Sequence, residues 1–199
     1  AADEWTERTP EKPRFVAGSI GPTTRQLAIS TQVDDPAHRA TSFEEMRASY
    51  FAQVESLVNA GVDILLPETA IDTLNLKSCL FAIEDFYAAG GRRVPVMVSG
   101  TFDKGGRTFV SGQSVEAFVT SLSHFPMLSI GMNCALGPDV MRPHLEEMSH
   151  ATDLAVSCHP NAGLPNDMGQ FDLGPKAMAD IVGEFADNGA LRNGRQMHA

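Results

Sequence analysis

The sequence predicts an α/β protein with a parallel sheet, because short apolar runs alternate with amphipathic helical segments along its 199 residues. The runs are rich in β-branched residues and poor in charge, which is typical of parallel strands covered on both faces. They are Arg14–Ile20, Val62–Leu66, Val94–Val98, Met127–Met132 and Leu154–Cys158. The pattern leaves open a doubly wound sheet or part of a closed barrel. In both architectures ligands bind at the carboxyl ends of the strands.

Each predicted strand is followed by a helical segment with recognisable end signals. The first helix opens with a capping box at Ser42, and Asp72 and Ser114 are predicted N-caps of the second and third helices. The fourth helix contains Pro143, which we expect in its first turn or at a bend. The fifth helix opens with Pro175, a favourable first helical residue.

Composition excludes several classes of function. The chain carries 15 Lys and Arg against 25 Asp and Glu, a formal net charge of −10. Binding to nucleic acid or to an anionic membrane surface is therefore not expected, because both need clustered basic residues. No apolar run approaches the length of a membrane span, and the N-terminus lacks a signal-peptide layout. Three widely spaced cysteines are typical of thiols in a reducing compartment, which predicts a cytoplasmic protein.

The predicted strand ends carry small and polar residues. Glu68 ends an apolar strand, where its carboxylate would either hold a substrate ammonium group or bond to nearby backbone amides. Ser99 and Thr101 alternate with valines, which makes them either turn caps or ligand contacts. The chain has no dinucleotide-binding, Walker A, nucleophile-elbow or His-Glu-x-x-His motif, which argues against nucleotide, serine-hydrolase and zinc-protease chemistry.

The cysteines differ in their predicted surroundings. Cys79 lies within a helix and Cys158 shares strand parity with apolar residues, so both are predicted to pack in the core. Cys134 follows Asn133 at a strand end, where a thiolate would serve as a nucleophile or a metal ligand, although a structural role stays open. His159 is interpreted as a structurally bonded histidine before Pro160, with ligand binding as the alternative.

A set of strings at these strand ends resembles the homocysteine S-methyltransferase module of cobalamin-dependent methionine synthase. The resemblance runs from about residue 1 to 189, with the motifs in the same order and spacing. The matching strings are Phe15–Thr23, Leu65–Thr69, Asp72–Asn75, Val98–Thr101, Ser111–Gln113, Gly131–Pro138 (G-M-N-C-A-L-G-P) and His159–Pro165 (H-P-N-A-G-L-P).

The resemblance implies a TIM-type (β/α)8 barrel that transfers a methyl group to homocysteine to form methionine. In that family three cysteines hold zinc and the substrate sulfur becomes the fourth ligand, since zinc coordination deprotonates a thiol. Cys134 matches the first zinc ligand, and Glu68 matches the acidic position at the homocysteine amino group. Ser99, Thr101 and Asn133 match positions that line the substrate pocket. No residue is assigned as an acid, base or nucleophile.

The sequence also departs from the family pattern. The other two zinc ligands belong to a Gly-Gly-Cys-Cys-Gly string that this chain does not contain. The resemblance therefore predicts an incomplete barrel with about strands three to seven of eight. Its expected divisions are a polar lead-in or helix end at 1–13, the partial barrel at 14–189 and a non-matching tail at 190–199. One ligand does not build a tight zinc site, so the chain alone is expected to be inactive and to bind zinc poorly.

The expected full enzyme passes a methyl group from methyltetrahydrofolate through cobalamin to homocysteine. Zinc, cobalamin and folate are implied by the resemblance, the last two through other modules of the same enzyme. Two alternatives stay open. One is a betaine- or S-methylmethionine-dependent homocysteine methyltransferase, and the other is a non-catalytic barrel fragment that pairs its open strand edges.

Overall fold

The computed structural model describes residues 1–163 and 166–191. One helix, α1, precedes five successive strand–helix units. Residues 192–199 of the predicted tail and the last two residues of the His159–Pro165 string lie outside the described residues. The elements are α1 (Ala2–Arg8), β1 (Ala17–Ile20), α2 (Phe43–Asn59), β2 (Ile64–Pro67), α3 (Thr73–Ala88), β3 (Met97–Gly100), α4 (Val115–Leu122), β4 (Ser129–Asn133), α5 (Pro138–Ala151), β5 (Ala155–His159) and α6 (Pro175–Asp187).

The five strands form one layer of parallel strands in sequence order. β1 pairs with β2, and β3, β4 and β5 pair in turn, always in parallel. Two parallel bridges, Leu65 with Val96 and Ala70 with Gly100, join β2 to β3. Among the described residues β1 and β5 do not pair with each other. The α/β prediction is confirmed, the barrel is not closed, and the assignment to strands three to seven stays a prediction.

The predicted caps are present. Ser42 and Glu45 make both hydrogen bonds of a capping box, and Ser114 accepts from the Ala117 amide. Hydrogen bonds from the Ser42 backbone and from neighbouring hydroxyls to the Glu45 carboxylate lower its pKa. Asp72 caps α3, because its side chain accepts from the amides of Leu74 and Asn75. Side-chain capping therefore satisfies N–H groups that the first turn of a helix leaves without partners.

Several predicted boundaries were wrong by one to three residues. Every strand begins later than its apolar run, because residues such as Arg14 and Val62 belong to the irregular segment that precedes the strand. Pro143 lies in the second turn of α5, since the helix already begins at Pro138. In α6 only Phe185 is fully buried, although its helical pattern predicted a wider apolar face. None of the described helices has the length and apolar character needed to cross a membrane.

The sheet has two unlike faces. Its outer face packs against the helices, as the thiol of Cys158 shows by lying 3.3 Å from the thioether of Met141 in α5. Its inner face carries mostly small and polar side chains. There, Gly131 of β4 faces Ser157 of β5 so closely that a Cβ at Gly131 would lie 2.1 Å from the serine hydroxyl and 2.2 Å from its carbonyl oxygen. Only glycine allows this approach between the two strands.

Candidate functional site

The carboxyl ends of β2, β3 and β4 bring all five predicted site residues into one neighbourhood. We call this group, together with Thr69, the strand-end cluster. Parallel register makes the arrangement possible, because Ser99 of β3 lies opposite Gly131 of β4 and the next inward-facing residue of β4 is Asn133. The members of the cluster are Glu68, Thr69, Ser99, Thr101, Asn133 and Cys134.

Asn133 lies at the centre of this cluster. Its Oδ1 accepts from the Thr69 amide at 3.0 Å and from the Ser99 hydroxyl at 2.7 Å. Its Nδ2 donates to the Thr69 hydroxyl at 2.6 Å and lies 3.3 Å from the sulfur of Cys134. The side chain therefore uses both the oxygen and the nitrogen of its amide to join three strand ends.

Cys134 presents its thiol at the edge of the cluster. Its sulfur lies 3.4 Å from the Thr101 hydroxyl, which also donates to the Asn133 carbonyl at 3.1 Å. The Cys134 amide donates to the carbonyl of His159 at 2.9 Å, which ties the residue to β5. The residue is half-buried, so its sulfur contacts Thr101 and Asn133 while part of the residue stays accessible to a ligand.

Glu68 extends from the end of β2 and is half-buried. Its Oε1 accepts from the Ser19 hydroxyl of β1 at 3.1 Å, and its Oε2 accepts from the hydroxyl of Thr69. The Glu68 amide donates to the carbonyl of Ile20 at 3.1 Å. Glu68 also lines a cavity of about 20 Å3, enough for little more than one water molecule. This cavity is therefore too small for a ligand the size of an amino acid.

Backbone strain is concentrated in this cluster and at Ala135, the residue that follows it in the chain. Within the described ranges, three residues other than glycine have a positive φ, and they are Thr69 at 54°, Cys134 at 44° and Ala135 at 61°. The left-handed region is unfavourable for a residue with a Cβ, most of all for a β-branched one such as threonine. Such outliers persist where the surrounding structure holds them, and they are concentrated at binding and catalytic sites.

The described residues do not form a complete metal site. Cys134 is the thiol in the cluster, and no group of three His, Cys, Asp or Glu side chains in residues 1–163 and 166–191 is placed to hold a metal ion.

The other cysteines and His159 lie outside the strand-end cluster. Burial raises the pKa of Cys158 to about 12 and raises that of Cys79 further. His159 is exposed and makes no side-chain hydrogen bond within the described part of the chain, so its predicted structural bond stays a prediction.

The predicted cap Asp72 and the matching strings Asp72–Asn75 and Ser111–Gln113 also hold loops next to the strand-end cluster. Asp72 accepts from the amides of Leu27 and Ala28 at 3.1 and 2.9 Å, and Asn75 accepts from the Leu27 amide at 2.9 Å. These bonds fasten the 21–41 loop to the start of α3. The Ser111–Gln113 string is held in a similar way, since the Thr73 hydroxyl donates to Gln113 at 2.6 Å. The polar character of the Asp72–Asn75 string was the available signal.

Thr69 is the site residue that sequence reasoning missed. It stands inside the Leu65–Thr69 string, and its left-handed backbone has no sequence signature because threonine rarely adopts it. Its hydroxyl contacts Glu68, the preceding residue, and also Asn133, which is 64 positions further along the chain. Only the parallel alignment of β2, β3 and β4 brings those two side chains within reach of one hydroxyl.

Solved structures of similar fold support the barrel-type architecture. Three forms of the homocysteine methyltransferase MmuM from Escherichia coli match this chain. The apo form superimposes with a TM-score of 0.63 at 22% identity, covering 80% of this chain and 53% of that one. The metallated form gives 0.64 at 22% identity, with 81% and 54% covered. The oxidized form gives 0.69 at 19% identity, with 95% and 59% covered. The chain thus spans little more than half the length of these proteins.

The family comparison reaches nearly the whole chain. The family model for homocysteine S-methyltransferases matches residues 1–193, which include every strand and every member of the strand-end cluster. The chain therefore belongs to the homocysteine S-methyltransferase family.

Proposed function

We propose that this chain forms the amino-acid-binding part of a homocysteine methyltransferase site. Glu68 receives the ammonium group of homocysteine, and Cys134 stands beside the substrate sulfur. The observation that carries the proposal is the Asn133 side chain, which joins the thiol of Cys134 to Thr69 and through it to the Glu68 carboxylate. One hydrogen-bond network thus holds a carboxylate for the ammonium end of homocysteine and a thiol beside its sulfur end.

The surroundings of Glu68 favour a role in holding a cation. An ionised carboxylate has about four lone-pair sites for hydrogen bonds, and protein donors occupy two of them here, from Ser19 and Thr69. The remaining lone-pair sites suit the N–H donors of an ammonium group. A hydrogen bond between ionised partners contributes roughly 1.5–3 kcal/mol, which is enough to orient a small amino acid.

Zinc enters this proposal only through Cys134. When bound, zinc would hold the substrate sulfur as a thiolate, and Cys134 would be one of its protein ligands. The described residues supply no second and third ligand near Cys134. A complete zinc site therefore needs further ligands, which the family resemblance assigns to a Gly-Gly-Cys-Cys-Gly string absent from this sequence. We expect the 199-residue chain to bind zinc weakly and to show no turnover, and tight stoichiometric zinc with turnover would contradict this.

For the methyl donor we propose the cobalamin-dependent methionine synthase type. The strings Gly131–Pro138 and His159–Pro165 and the 103–112 loop support this assignment by resemblance. Betaine- or S-methylmethionine-dependent transfer is the alternative within the same family. Assays of the full-length enzyme with methylcobalamin, betaine and S-methylmethionine separate these donors, and turnover with either of the last two alone would overturn the cobalamin assignment.

Homocysteine binding to the 199-residue chain tests the proposal directly. We expect millimolar homocysteine, with and without zinc, to shift the backbone amide resonances of residues 68, 69 and 133 in a 15N-edited NMR spectrum. Glu68→Gln should weaken this binding by about tenfold or more, because the neutral amide loses the charge-assisted bond to the ammonium group. Glu147→Gln, which changes an exposed carboxylate on α5, is the matched control and should bind as the original chain does. Equal binding by Glu68→Gln would contradict the role of Glu68.

A non-catalytic role remains the second candidate because β1 and β5 are open edges of the described sheet. Unpaired strand edges offer backbone N–H and C=O groups to another strand. Size-exclusion chromatography with light scattering tests this candidate. Dimers or larger species that form as the concentration rises would favour edge pairing, whereas a monomer at high concentration would contradict it.

A further inference from the structure

The end of β2 contains a bulge that re-aims its last side chains. Between the bridges Leu65–Val96 and Ala70–Gly100, the β2 side is one residue longer than the β3 side. Thr69 lies in this stretch and has φ 54°, which absorbs the extra residue. Regular pairing resumes at once, because the Ala70 amide donates to the Ser99 carbonyl and the Thr101 amide donates to the Ala70 carbonyl, both at 3.1 Å. Bulges of this kind redirect side chains beside functional sites.

The hydrogen bonds around Thr69 have one consistent direction. Its backbone N–H can only donate, so the atom of Asn133 that it meets at 3.0 Å must be the oxygen Oδ1. The amide nitrogen of Asn133 then faces the Thr69 hydroxyl at 2.6 Å and donates to it. The hydroxyl proton is therefore free to point to the carboxylate of Glu68. One threonine thus fixes the amide orientation of Asn133 and donates to Glu68 as well.

We infer that Thr69 is a positioning residue of the homocysteine site, which holds the Glu68 carboxylate and the Asn133 amide in fixed relation to Cys134. The inference rests on the proposed function. Without the hydroxyl, Glu68 would keep one protein donor, from Ser19, and Asn133 Nδ2 would keep one neighbour, the sulfur of Cys134. If Thr69 only shaped the backbone at this turn, Thr69→Gly should bind homocysteine as well as or better than the original chain, because glycine adopts a positive φ without strain.

The variants separate the hydroxyl from the shape of the side chain. Thr69→Val keeps the β-branched shape and the backbone N–H but removes the hydroxyl, and Thr69→Ser keeps the hydroxyl. Thr69→Gly removes the hydroxyl and relieves the backbone, so it supplies a folded hydroxyl-free chain even where valine prevents folding. Thr120→Val, on the exposed side of α4 away from the cluster, is the matched control.

The first measurement needs neither zinc nor homocysteine. Solvent exchange of the Asn133 Nδ2 protons, observed by NMR on the 199-residue chain, should be about tenfold faster in Thr69→Val and Thr69→Gly, which is the effect of losing one hydrogen bond of about 1.4 kcal/mol. Thr69→Ser and Thr120→Val should exchange as the original chain does. Unchanged exchange in both hydroxyl-free variants would overturn the inference.

The second measurement is homocysteine affinity by NMR titration. The hydroxyl-free variants should bind about tenfold more weakly, with rescue by serine. Wild-type-like binding by Thr69→Gly would overturn the inference and leave the proposed function standing. Failure of the unsubstituted chain to bind homocysteine, with or without zinc, would instead count against the proposed function, and the exchange measurement would then decide whether Thr69 holds Asn133.

Discussion

The two faces of the sheet differ at the same level of the same strands. On the outer face, Val98, Ile130 and Val156 lie in register on β3, β4 and β5 and are buried against the helices. One residue further along, on the inner face, the register aligns Ser99, Gly131 and Ser157. The outer face supplies the apolar burial that drives folding. The inner face gives up that burial, which leaves space and polar groups for a ligand.

The inner face also contains buried polar groups whose hydrogen-bonding capacity is not fully used. Ser129 and Ser157 have buried hydroxyl oxygens without a hydrogen-bond partner among the described residues. In contrast, Ser99 donates to Asn133 at 2.7 Å. A complete TIM-type barrel fills its interior with layers of bulky branched side chains, and this face does not resemble such a layer. We therefore expect substitutions on the two faces to have effects of very different size and sign.

The largest expected effect is a core truncation on the outer face. Ile130→Ala should lower the free energy of unfolding by about 2–5 kcal/mol, because Ile130 is fully buried and its removal leaves a cavity. Urea unfolding followed by circular dichroism measures the change. Ile29→Ala, at a position 42% exposed, is the matched control and should cost less than about 1 kcal/mol. Similar losses for both variants would contradict the contrast between buried and exposed positions.

The thiols extend the comparison to reactivity. Both Cys158 and Cys134 are partly buried, but the Cys158 thiol lies against Met141 of α5, and desolvation there raises its pKa to about 12. Because the thiolate is the reactive form, iodoacetamide near neutral pH should modify Cys134 at least about a hundredfold faster than Cys158 or Cys79. Peptide mass spectrometry after timed quenching measures the three rates. The Cys134→Ser variant should take up almost no label. Labelling of Cys158 as fast as that of Cys134 would contradict the predicted difference in thiol reactivity.

Alkaline pH should destabilise the fold through the thiol of Cys158. Burial raises the pKa of Cys158 from near 9 to about 12, so the unfolded chain releases this proton first. The folded state then binds more protons than the unfolded state, and the free energy of unfolding falls as pH rises from about 9 to about 12. Below about pH 8 both states keep the proton and the slope vanishes. Urea midpoints across this range should fall less steeply in Cys158→Ala, and an unchanged slope would contradict the assignment.

The smallest expected effect lies on the inner face. Ser129→Ala removes a buried hydroxyl that has no hydrogen-bond partner among the described residues, so stability should stay the same or rise by up to about 1 kcal/mol. Ser99→Ala is the informative counterpart, since it removes a donor to Asn133 and should cost about 1 kcal/mol. Urea unfolding distinguishes the two. A clear loss in Ser129→Ala would show that its hydroxyl does bind a partner.

Local signals predicted the helices well and the strand ends less well. The capping residues Ser42, Asp72 and Ser114 are where the sequence placed them, because a cap depends on neighbours within three positions. Strand starts were misplaced by up to three residues, since an apolar residue such as Val62 packs equally well in the turn before a strand. The grouping of Glu68 and Cys134 came from the resemblance, because residue pattern alone left both with structural alternatives.

The sequence by itself determined the alternation of strands and helices, the helix caps, the core position of Cys79, and the family to which the strand-end strings belong. These features depend on local periodicity or on short strings. Cys158, which was also predicted to lie in the core, is only partly buried against it. The tertiary structure alone decided that Thr69 adopts a left-handed backbone and that its hydroxyl joins Glu68 to Asn133. The reason is physical, because parallel pairing between strands far apart in the chain sets which side chains meet.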